Sequence, residues 1–185
     1  MTNLPPLSAR SRTRTIRTYG IATLALILGL AILSTLRTHS TTPLPTADSI
    51  LVVKHIHTLT LFRDGQPIKQ YGVALGRGGL GPKDQAGDNK VPEGTYRIVS
   101  RNPHSAFYRA LRVGYPTSLQ VAVAHARGVD PGGDIMIHGI RNGLGWIGPA
   151  HRLIDWTKGC IAVTNTEMDE IWEAVPDGTS IEIRP

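Results

Sequence analysis

Short apolar runs alternate with turn-forming residues through most of the chain, which is typical of β-strands. The first three runs are "ILVV" at 50–53, "LTLF" at 59–62 and "IKQYGVAL" at 68–75. Asp64-Gly65 lies between the second and third runs and favours a tight hairpin turn. Further strands are predicted at 94–100, 118–124, 134–139, 160–163 and 180–184. The pattern therefore predicts a mostly β domain, built as a meander or sandwich.

One segment has helical rather than strand periodicity. Apolar residues recur at i, i+3, i+4 and i+7 from Met168 to Val175, which predicts a helix over 166–175. Either Thr164 with Glu167 or Thr166 with Asp169 could form the capping box that starts it. The fold class is thus α+β, mostly β, with a short helix after the strand at 160–163.

The N-terminal region differs from the rest. Residues 18–36 carry no charge, four arginines precede them, and no acidic residue occurs before Asp48. A basic leader followed by an apolar segment predicts export, with the arginines staying in the cytoplasm. Because no good small-x-small cleavage site follows, we expect a retained transmembrane anchor. The predicted organisation is a tail at 1–17, an anchor at 18–36, a linker at 37–48 and a domain at 49–185.

The net charge of +6 is concentrated near the N-terminus. Five of the 20 lysines and arginines lie in the first 37 positions, which leaves the predicted domain close to neutral. A nucleic-acid-binding domain would need a basic face with aromatic or helical readers. The composition therefore excludes nucleic acid as the expected partner.

Two patterns suggest cofactor or metal sites but lack the necessary context. Gly76–Gly81 reads "GRGGLG", but the breakers that follow it predict a long loop instead of the helix that a dinucleotide site needs. His55 and His57 alternate like a metal pair, yet no clustered third ligand or H-E-x-x-H helix accompanies them. We expect solvated histidines, no metal and no cofactor, although seven histidines keep a zinc hydrolase formally open.

Cys160 is the only cysteine of the chain and lies in "DWTKGCIAV" at 155–163. It is either an inert buried residue or a nucleophile, and its neighbours favour the second reading. His138 ends a predicted strand and precedes Gly139, so it could take the thiol proton. Gly159 allows the backbone to turn so that amides around Gly159 and Cys160 point at a developing oxyanion.

The segments "MIHG", "TKGCIAVTN" and "GPKDQAGDNKVPEGTYRI" resemble the L,D-transpeptidase catalytic domain of the YkuD type, over about residues 49–184. The resemblance implies Cys160 as nucleophile and His138 as base. It also implies that the Gly139 carbonyl orients the base and that the amides near Gly159 form the oxyanion hole. Substrate contacts are expected from the following residues: Lys158, Thr157 and Arg141.

Two features depart from the family pattern. Lys158 and Ala162 replace a common histidine and arginine, and the segment at 140–156 is longer than usual. We expect the Lys158 ammonium to favour the Cys160 thiolate and to meet a carboxylate of the substrate. Overall the chain is most similar to the Gram-negative branch of the family, which places the expected domain in the periplasm, tethered to the inner membrane.

The function implied is a peptidoglycan L,D-transpeptidase that acts on tetrapeptide stems through a cysteine thioester. One alternative is a hydrolase that uses the same cysteine, as a carboxypeptidase or as an endopeptidase releasing a wall-attached lipoprotein. Another is a non-enzymatic, membrane-tethered module that binds the wall. The expected partners are stem peptides, the membrane through the anchor, and a wall-attached lipoprotein.

Overall fold

The computed structural model describes residues 43–185 of the chain. None of the helices within this range is both long and apolar enough to cross a membrane. The predicted tail and anchor, and the first half of the predicted linker, lie outside the described residues.

Three antiparallel strands begin the domain, as the apolar pattern predicts. They are β1 (Ser49–Val53), β2 (Thr58–Arg63) and β3 (Gln66–Gly72). Asp64 and Gly65 form the β2–β3 turn with φ angles of 51° and 72°. Positive φ at both central residues is what a tight hairpin of this kind requires, so the Asp-Gly signal is confirmed.

The remaining strands extend this hairpin into one eight-stranded sheet of order β3-β2-β1-β8-β4-β5-β6-β7. The long strand β4 pairs with β8 through its first residues and with β5 through its later ones. The segment after β3 then reaches the opposite edge, where Ala74 pairs with Ala162. The five strands are β4 (Gly94–Ser105), β5 (Tyr108–Val113), β6 (Met136–His138), β7 (Ile161–Ala162) and β8 (Ser180–Arg184).

The strand predicted at 118–124 is wrong, because this segment forms helix α1 (Ser118–Ala126). Thr117 and Gln120 make a reciprocal capping box, which satisfies backbone N–H groups at the helix start. The alternating apolar side chains face solvent instead of a core: Leu119 is 73 % exposed and Val123 is 50 % exposed. The cap and the local backbone therefore outweigh the two-residue periodicity.

The predicted helix after the cysteine strand is confirmed as α2 (Asn165–Ala174). Thr164 and Glu167 form its capping box, the first of the two pairs considered. The helix buries Met168 and Ile171 against the sheet, as the 3.6-residue period predicts. This packing fixes the chain immediately after β7 and the cysteine.

The sequence patterns did not predict strand β5 or the 3₁₀-helical segment at Gly145–Leu153. Polar and apolar residues alternate irregularly in β5, which has Arg109 and Arg112 among its six residues. The 3₁₀ segment contains Pro149 and is interrupted at Gly148, so no single periodicity describes it. β5 pairs with β6, the strand that carries His138, and the 3₁₀ segment lines the second of the two cavities described below.

Candidate active site

The pairing of β6 with β7 brings His138 and Cys160 to the same part of the sheet. These strands run parallel, with His138 opposite Ala162, and Cys160 lies just before β7. Because side chains alternate along a strand, Cys160 projects to the same face as Ala162 and therefore as His138. Both side chains line one cavity of about 660 Å³.

His138 is almost completely buried and has a fixed ring orientation. Its Nδ1 lies 2.7 Å from the carbonyl oxygen of Gly139. Since a carbonyl only accepts, Nδ1 carries the proton and Nε2 has the free lone pair. The ring packs against Phe107 and Trp156, with centroid distances of 4.7 and 5.7 Å, and these two rings also contact each other. An imidazole in this arrangement can accept a proton at Nε2.

Burial among these rings also sets the acid–base behaviour of His138. Loss of solvation lowers its pKa to about 4. The hydrogen bond to Gly139 acts in the opposite direction and raises the pKa, whereas the nearby His151 lowers it further. The resting side chain is therefore neutral at physiological pH. A neutral imidazole is the form that a general base requires.

The thiol of Cys160 is likewise protonated at rest. Burial raises its pKa, and so does Asp134, whereas a hydrogen bond from the Met136 backbone and the charge of Lys83 lower it. The thiol sulfur lies 3.5 Å from the backbone oxygen of Asp134. At rest the cavity thus holds a neutral thiol and a neutral imidazole instead of an ion pair.

Gly139 is required by the close approach of α2 and β5. A Cβ atom there would lie 2.8 Å from Asn165 Oδ1 and 2.9 Å from Tyr108 Cβ. Asn165 Oδ1 also accepts a hydrogen bond from the Ile140 amide, at 2.9 Å. The His-Gly pair is therefore held against the start of the helix that follows the cysteine, which gives Asn165 a structural role in the site.

The loop before Cys160 is organised by the buried hydroxyl of Thr157. Its Oγ1 donates to the Cys160 carbonyl at 2.7 Å and accepts from the Gly159 amide at 3.2 Å. Two of the predicted site residues thus have partners within the loop. Thr157, which is 3 % exposed, uses its hydroxyl to hold the loop. The Gly159 amide donates to the Thr157 hydroxyl.

The glycine-rich segment Gly76–Gly81 packs against this same loop. No helix follows these glycines, which confirms the predicted loop. Cβ atoms at Gly76 and Gly159 would lie 2.0 Å from the Asn89 oxygen and 2.7 Å from the Lys90 oxygen, respectively. Because these glycines have no side chains, the segment after β3, the long loop and the cysteine loop pack backbone against backbone.

A buried lysine, which the sequence patterns did not single out, anchors the long loop. Lys54 is 1 % exposed, and its Nζ donates to the carbonyls of Gly81 at 3.0 Å and Val91 at 3.4 Å. It also pairs with Glu93 at 2.5 Å. A charge this deeply buried is stable only with such partners. Its position after β1 gave no local signal of this contact.

The rim of the cavity carries positive charge. Lys158 and Arg141 are both exposed there, together with Arg77, which sequence reasoning missed. Lys158 was expected to act on the Cys160 thiol, but the charged side chains that shift this pKa are Asp134 and Lys83. The rim is therefore suited to an anionic ligand. The pKa of the thiol depends on Asp134 and Lys83 instead of on Lys158.

The segment at 140–156 encloses a second, largely apolar cavity of about 400 Å³. It shares Arg141 and Trp156 with the first cavity. His151 lines it, and Nδ1 of this ring accepts a hydrogen bond from the Trp156 indole at 3.4 Å. At the end of the segment, Asp155 accepts from the Leu75 amide at 2.7 Å and contacts His57 Nε2 at 3.0 Å.

The two histidines considered as a metal pair have separate partners. His57 pairs with Asp155, and His55 Nδ1 lies 2.8 Å from the Pro185 carbonyl. Within residues 43–185, no group of three or more histidine, cysteine or acidic side chains is arranged to hold a metal ion.

Comparison with known proteins agrees with this site. The model of the YkuD L,D-transpeptidase catalytic domain matches residues 47–183. YafK of Escherichia coli (strain K12), whose name assigns it provisionally to the L,D-transpeptidases, is 35% identical over 133 residues, covering 68% of this chain and 46% of YafK. The chain thus spans about half the length of this curated relative.

Solved structures give the same result. The helical cell shape determining protein Pgp2 (K307A mutant) from Campylobacter jejuni is 26% identical, with a TM-score of 0.59 over 75% of this chain and 47% of that one. An L,D-transpeptidase from Mycobacterium smegmatis has the same fold at 16% identity, with a TM-score of 0.50 over 75% and 59% of the two chains. The mostly β fold, the Cys–His cavity and the matched family model together show that this chain belongs to the YkuD family of L,D-transpeptidase catalytic domains.

Proposed function

We propose that this protein is a peptidoglycan L,D-transpeptidase that acts on tetrapeptide stems through a thioester at Cys160. The observation that carries the proposal is the shared cavity of Cys160 and His138, in which Nδ1 of the histidine is held by Gly139. A thiol that shares its cavity with a base, which is itself oriented by a third group, is the arrangement of nucleophilic acyl transfer. A merely buried cysteine would not need an oriented base beside it.

The first half-reaction follows from the neutral pair. His138 Nε2 takes the thiol proton as the sulfur attacks the carbonyl of the diamino acid at stem position three. The new C–S bond forms, the C–N bond to the terminal residue breaks, and His138 returns its proton to the leaving amine. Because the Cys160 pKa is raised and the His138 pKa is lowered, proton transfer accompanies the attack instead of preceding it.

The second half-reaction regenerates the thiol. An amine from another stem attacks the thioester carbonyl and gives its proton to His138, the C–S bond breaks, and His138 protonates the departing sulfur. We propose the Cys160 amide as the oxyanion donor in both steps, since the Gly159 amide is donated to Thr157. Water in place of the amine would give hydrolysis by the same route.

The charge of the rim supports an acidic peptide as substrate. Three cationic residues, Arg77, Arg141 and Lys158, line the cavity that holds Cys160, against one acidic residue, Asp134. Peptide stems carry carboxylates, and several cations near one mouth raise the local concentration of such a ligand. We therefore propose that Lys158 and Arg141 bind stem carboxylates, while Thr157 acts by positioning the cysteine loop.

We also propose that the domain faces the periplasm and that residues 18–36 remain as a membrane anchor. The four arginines before the apolar run and the absence of a small-x-small site after it support this topology. Fractionation of cells that express the full chain, with N-terminal sequencing of the recovered protein, provides the test. A soluble periplasmic protein beginning near Thr38 would contradict the anchor.

The reaction is tested with the purified full chain and muropeptides that carry tetrapeptide stems, followed by mass spectrometry. We expect a thioester adduct on the parent protein and cross-linked dimers among the products. Tripeptides without dimers would identify a hydrolase, and a stem that carries a lipoprotein fragment would show whether such an attachment is released.

Cys160→Ala, with an unchanged circular dichroism spectrum, should give neither adduct nor product. Turnover by a folded Cys160→Ala protein would refute the proposal.

A further inference from the structure

The second cavity adjoins the cavity that holds Cys160 and His138. The histidine that returns the proton must face the leaving nitrogen, so the leaving group lies on the His138 side of the scissile carbonyl. Trp156 packs edge-on against His138 at a centroid distance of 5.7 Å. The same tryptophan, with Arg141, forms the wall common to both cavities. A leaving group that extends from His138 past Trp156 would therefore meet the second cavity.

The walls of the second cavity are aliphatic. Five of its residues have aliphatic side chains, contributed by the unusually long segment: Ile140, Leu144, Ile147, Ala150 and Ile154. Two of the five, Leu144 and Ile154, are 40 % and 70 % exposed, so apolar surface is available to a ligand. A cavity of about 400 Å³ is within the usual range of about 300–1,000 Å³ for ligand sites. A ligand whose side chain is only a methyl group would leave most of this volume empty.

A polar atom in the same cavity has no partner. His151 is 7 % exposed, and its Nε2 forms no hydrogen bond with any atom of residues 43–185. The indole of Trp156 donates to Nδ1, so in the neutral ring the proton is on Nε2. A buried donor without an acceptor is costly, and a ligand oxygen would remove that cost.

The charge at the shared wall indicates what else the ligand carries. Arg141 lines both cavities, is exposed, and forms no ion pair within the described part of the chain. A guanidinium is suited to bind a carboxylate through two parallel hydrogen bonds. An aliphatic body, an acceptor oxygen and a carboxylate next to the leaving amine are together the features of an amino acid with a large aliphatic side chain.

We propose that the second cavity binds the side chain of the amino acid whose amine leaves the Cys160 acyl group, and that it favours a branched aliphatic side chain over a methyl group. This inference rests on the proposed function. Attack of an acceptor amine on the thioester is the reverse of the step that expels the leaving amine. The amino acid that carries the acceptor amine therefore occupies the same cavity. Arg141 binds its carboxylate, and His151 donates from Nε2 to an oxygen of the same residue.

The test compares two stems that differ only in the terminal residue, D-leucine or D-alanine, with the full chain. We expect kcat/KM to be about tenfold higher for the D-leucine stem, as is usual for added methylene groups in an apolar pocket. Ala150→Trp fills the cavity from an exposed position and should reduce this ratio to about one. Ile154→Ala removes part of the wall and should lower the ratio without a risk to folding. Ala122→Trp, on the exposed face of α1, is the matched control and should keep the parent ratio.

The possible outcomes separate this inference from the proposed function. Thioester adducts with both stems at equal rates, or an unchanged ratio in Ala150→Trp, would overturn the inference and leave the cysteine mechanism intact. Absence of an adduct with either stem would overturn both. A ratio that falls in Ala150→Trp and in Ile154→Ala but not in Ala122→Trp would establish the cavity as the leaving-group and acceptor site.

Discussion

Nδ1 of His138 is 2.7 Å from the carbonyl oxygen of the adjacent residue, Gly139. The base of the site is thus oriented by the backbone and not by a carboxylate. A carboxylate partner would stabilise the imidazolium, whereas here burial dominates and the pKa of His138 falls to about 4. The ring is therefore in its basic form over the whole physiological range.

The low pKa of His138 predicts a specific pH dependence of stability. The unfolded chain binds a proton at this residue below about pH 6.5, whereas the folded chain does so only below about pH 4, so stability falls as the pH drops through this window. At one pKa unit per 1.36 kcal/mol, the loss is about 3 kcal/mol. Urea unfolding at pH 7, 5.5 and 4 measures it. His138→Phe should lose less stability over the same window, and an identical slope in that variant would assign the effect to other groups.

We expect Thr157→Val to impair turnover more than substrate binding. The change removes the donor to the Cys160 carbonyl and the acceptor for the Gly159 amide, so the cysteine loop loses its fixed conformation. A loss of hydrogen-bonded positioning next to a nucleophile lowers kcat by about 10- to 100-fold. Steady-state kinetics on a tetrapeptide stem tests this, and Thr157→Ser should recover most of kcat. A rise in KM with an unchanged kcat would instead show that Thr157 contacts the substrate directly.

Gly139 offers a test of packing with a matched control. Gly139→Ala introduces a Cβ within 3 Å of Asn165 and Tyr108, whereas at Gly133 the nearest heavy atom, from Pro116, would lie 3.9 Å away. We expect Gly139→Ala to lower the free energy of unfolding by about 1–3 kcal/mol, as overpacking usually does. Gly133→Ala should change it little. Equal thermal unfolding temperatures for the two variants would contradict the close approach of α2 to the His-Gly pair.

The reactivity of Cys160 should respond to Asp134 and not to Lys158. Asp134 raises the pKa of the thiol, so Asp134→Asn should shift the pH profile of iodoacetamide alkylation towards lower pH. Asparagine also tolerates the positive φ of 56° at this position. Lys158→Gln should leave the profile unchanged and raise KM for stem peptides. A shifted profile in Lys158→Gln with an unchanged profile in Asp134→Asn would show that Lys158 is the group that favours the thiolate.

Several parts of the fold were encoded locally enough to be predicted. The Asp64-Gly65 turn depends on backbone conformations that few residue pairs adopt, and α2 depends on a cap and an apolar period contained within its own segment. α1 has equally local cap residues, Thr117 and Gln120, but its alternating apolar residues imitate a strand. Local signals therefore conflict there, and the exposure of Leu119 and Val123 shows that no core required the alternating pattern.

The residue types of the site and their loop-to-strand positions were determined by the sequence alone: a single cysteine after a glycine, and a histidine before one. Their surroundings were decided by tertiary structure. The low pKa of His138 comes largely from burial, and Phe107 and Trp156 both pack against its ring. The close backbone contact under the cysteine loop comes from Lys90, which lies far from Gly159 along the chain. Solvation and packing depend on which distant residues meet, so they have no local signature, and only the folded sheet brings those residues together.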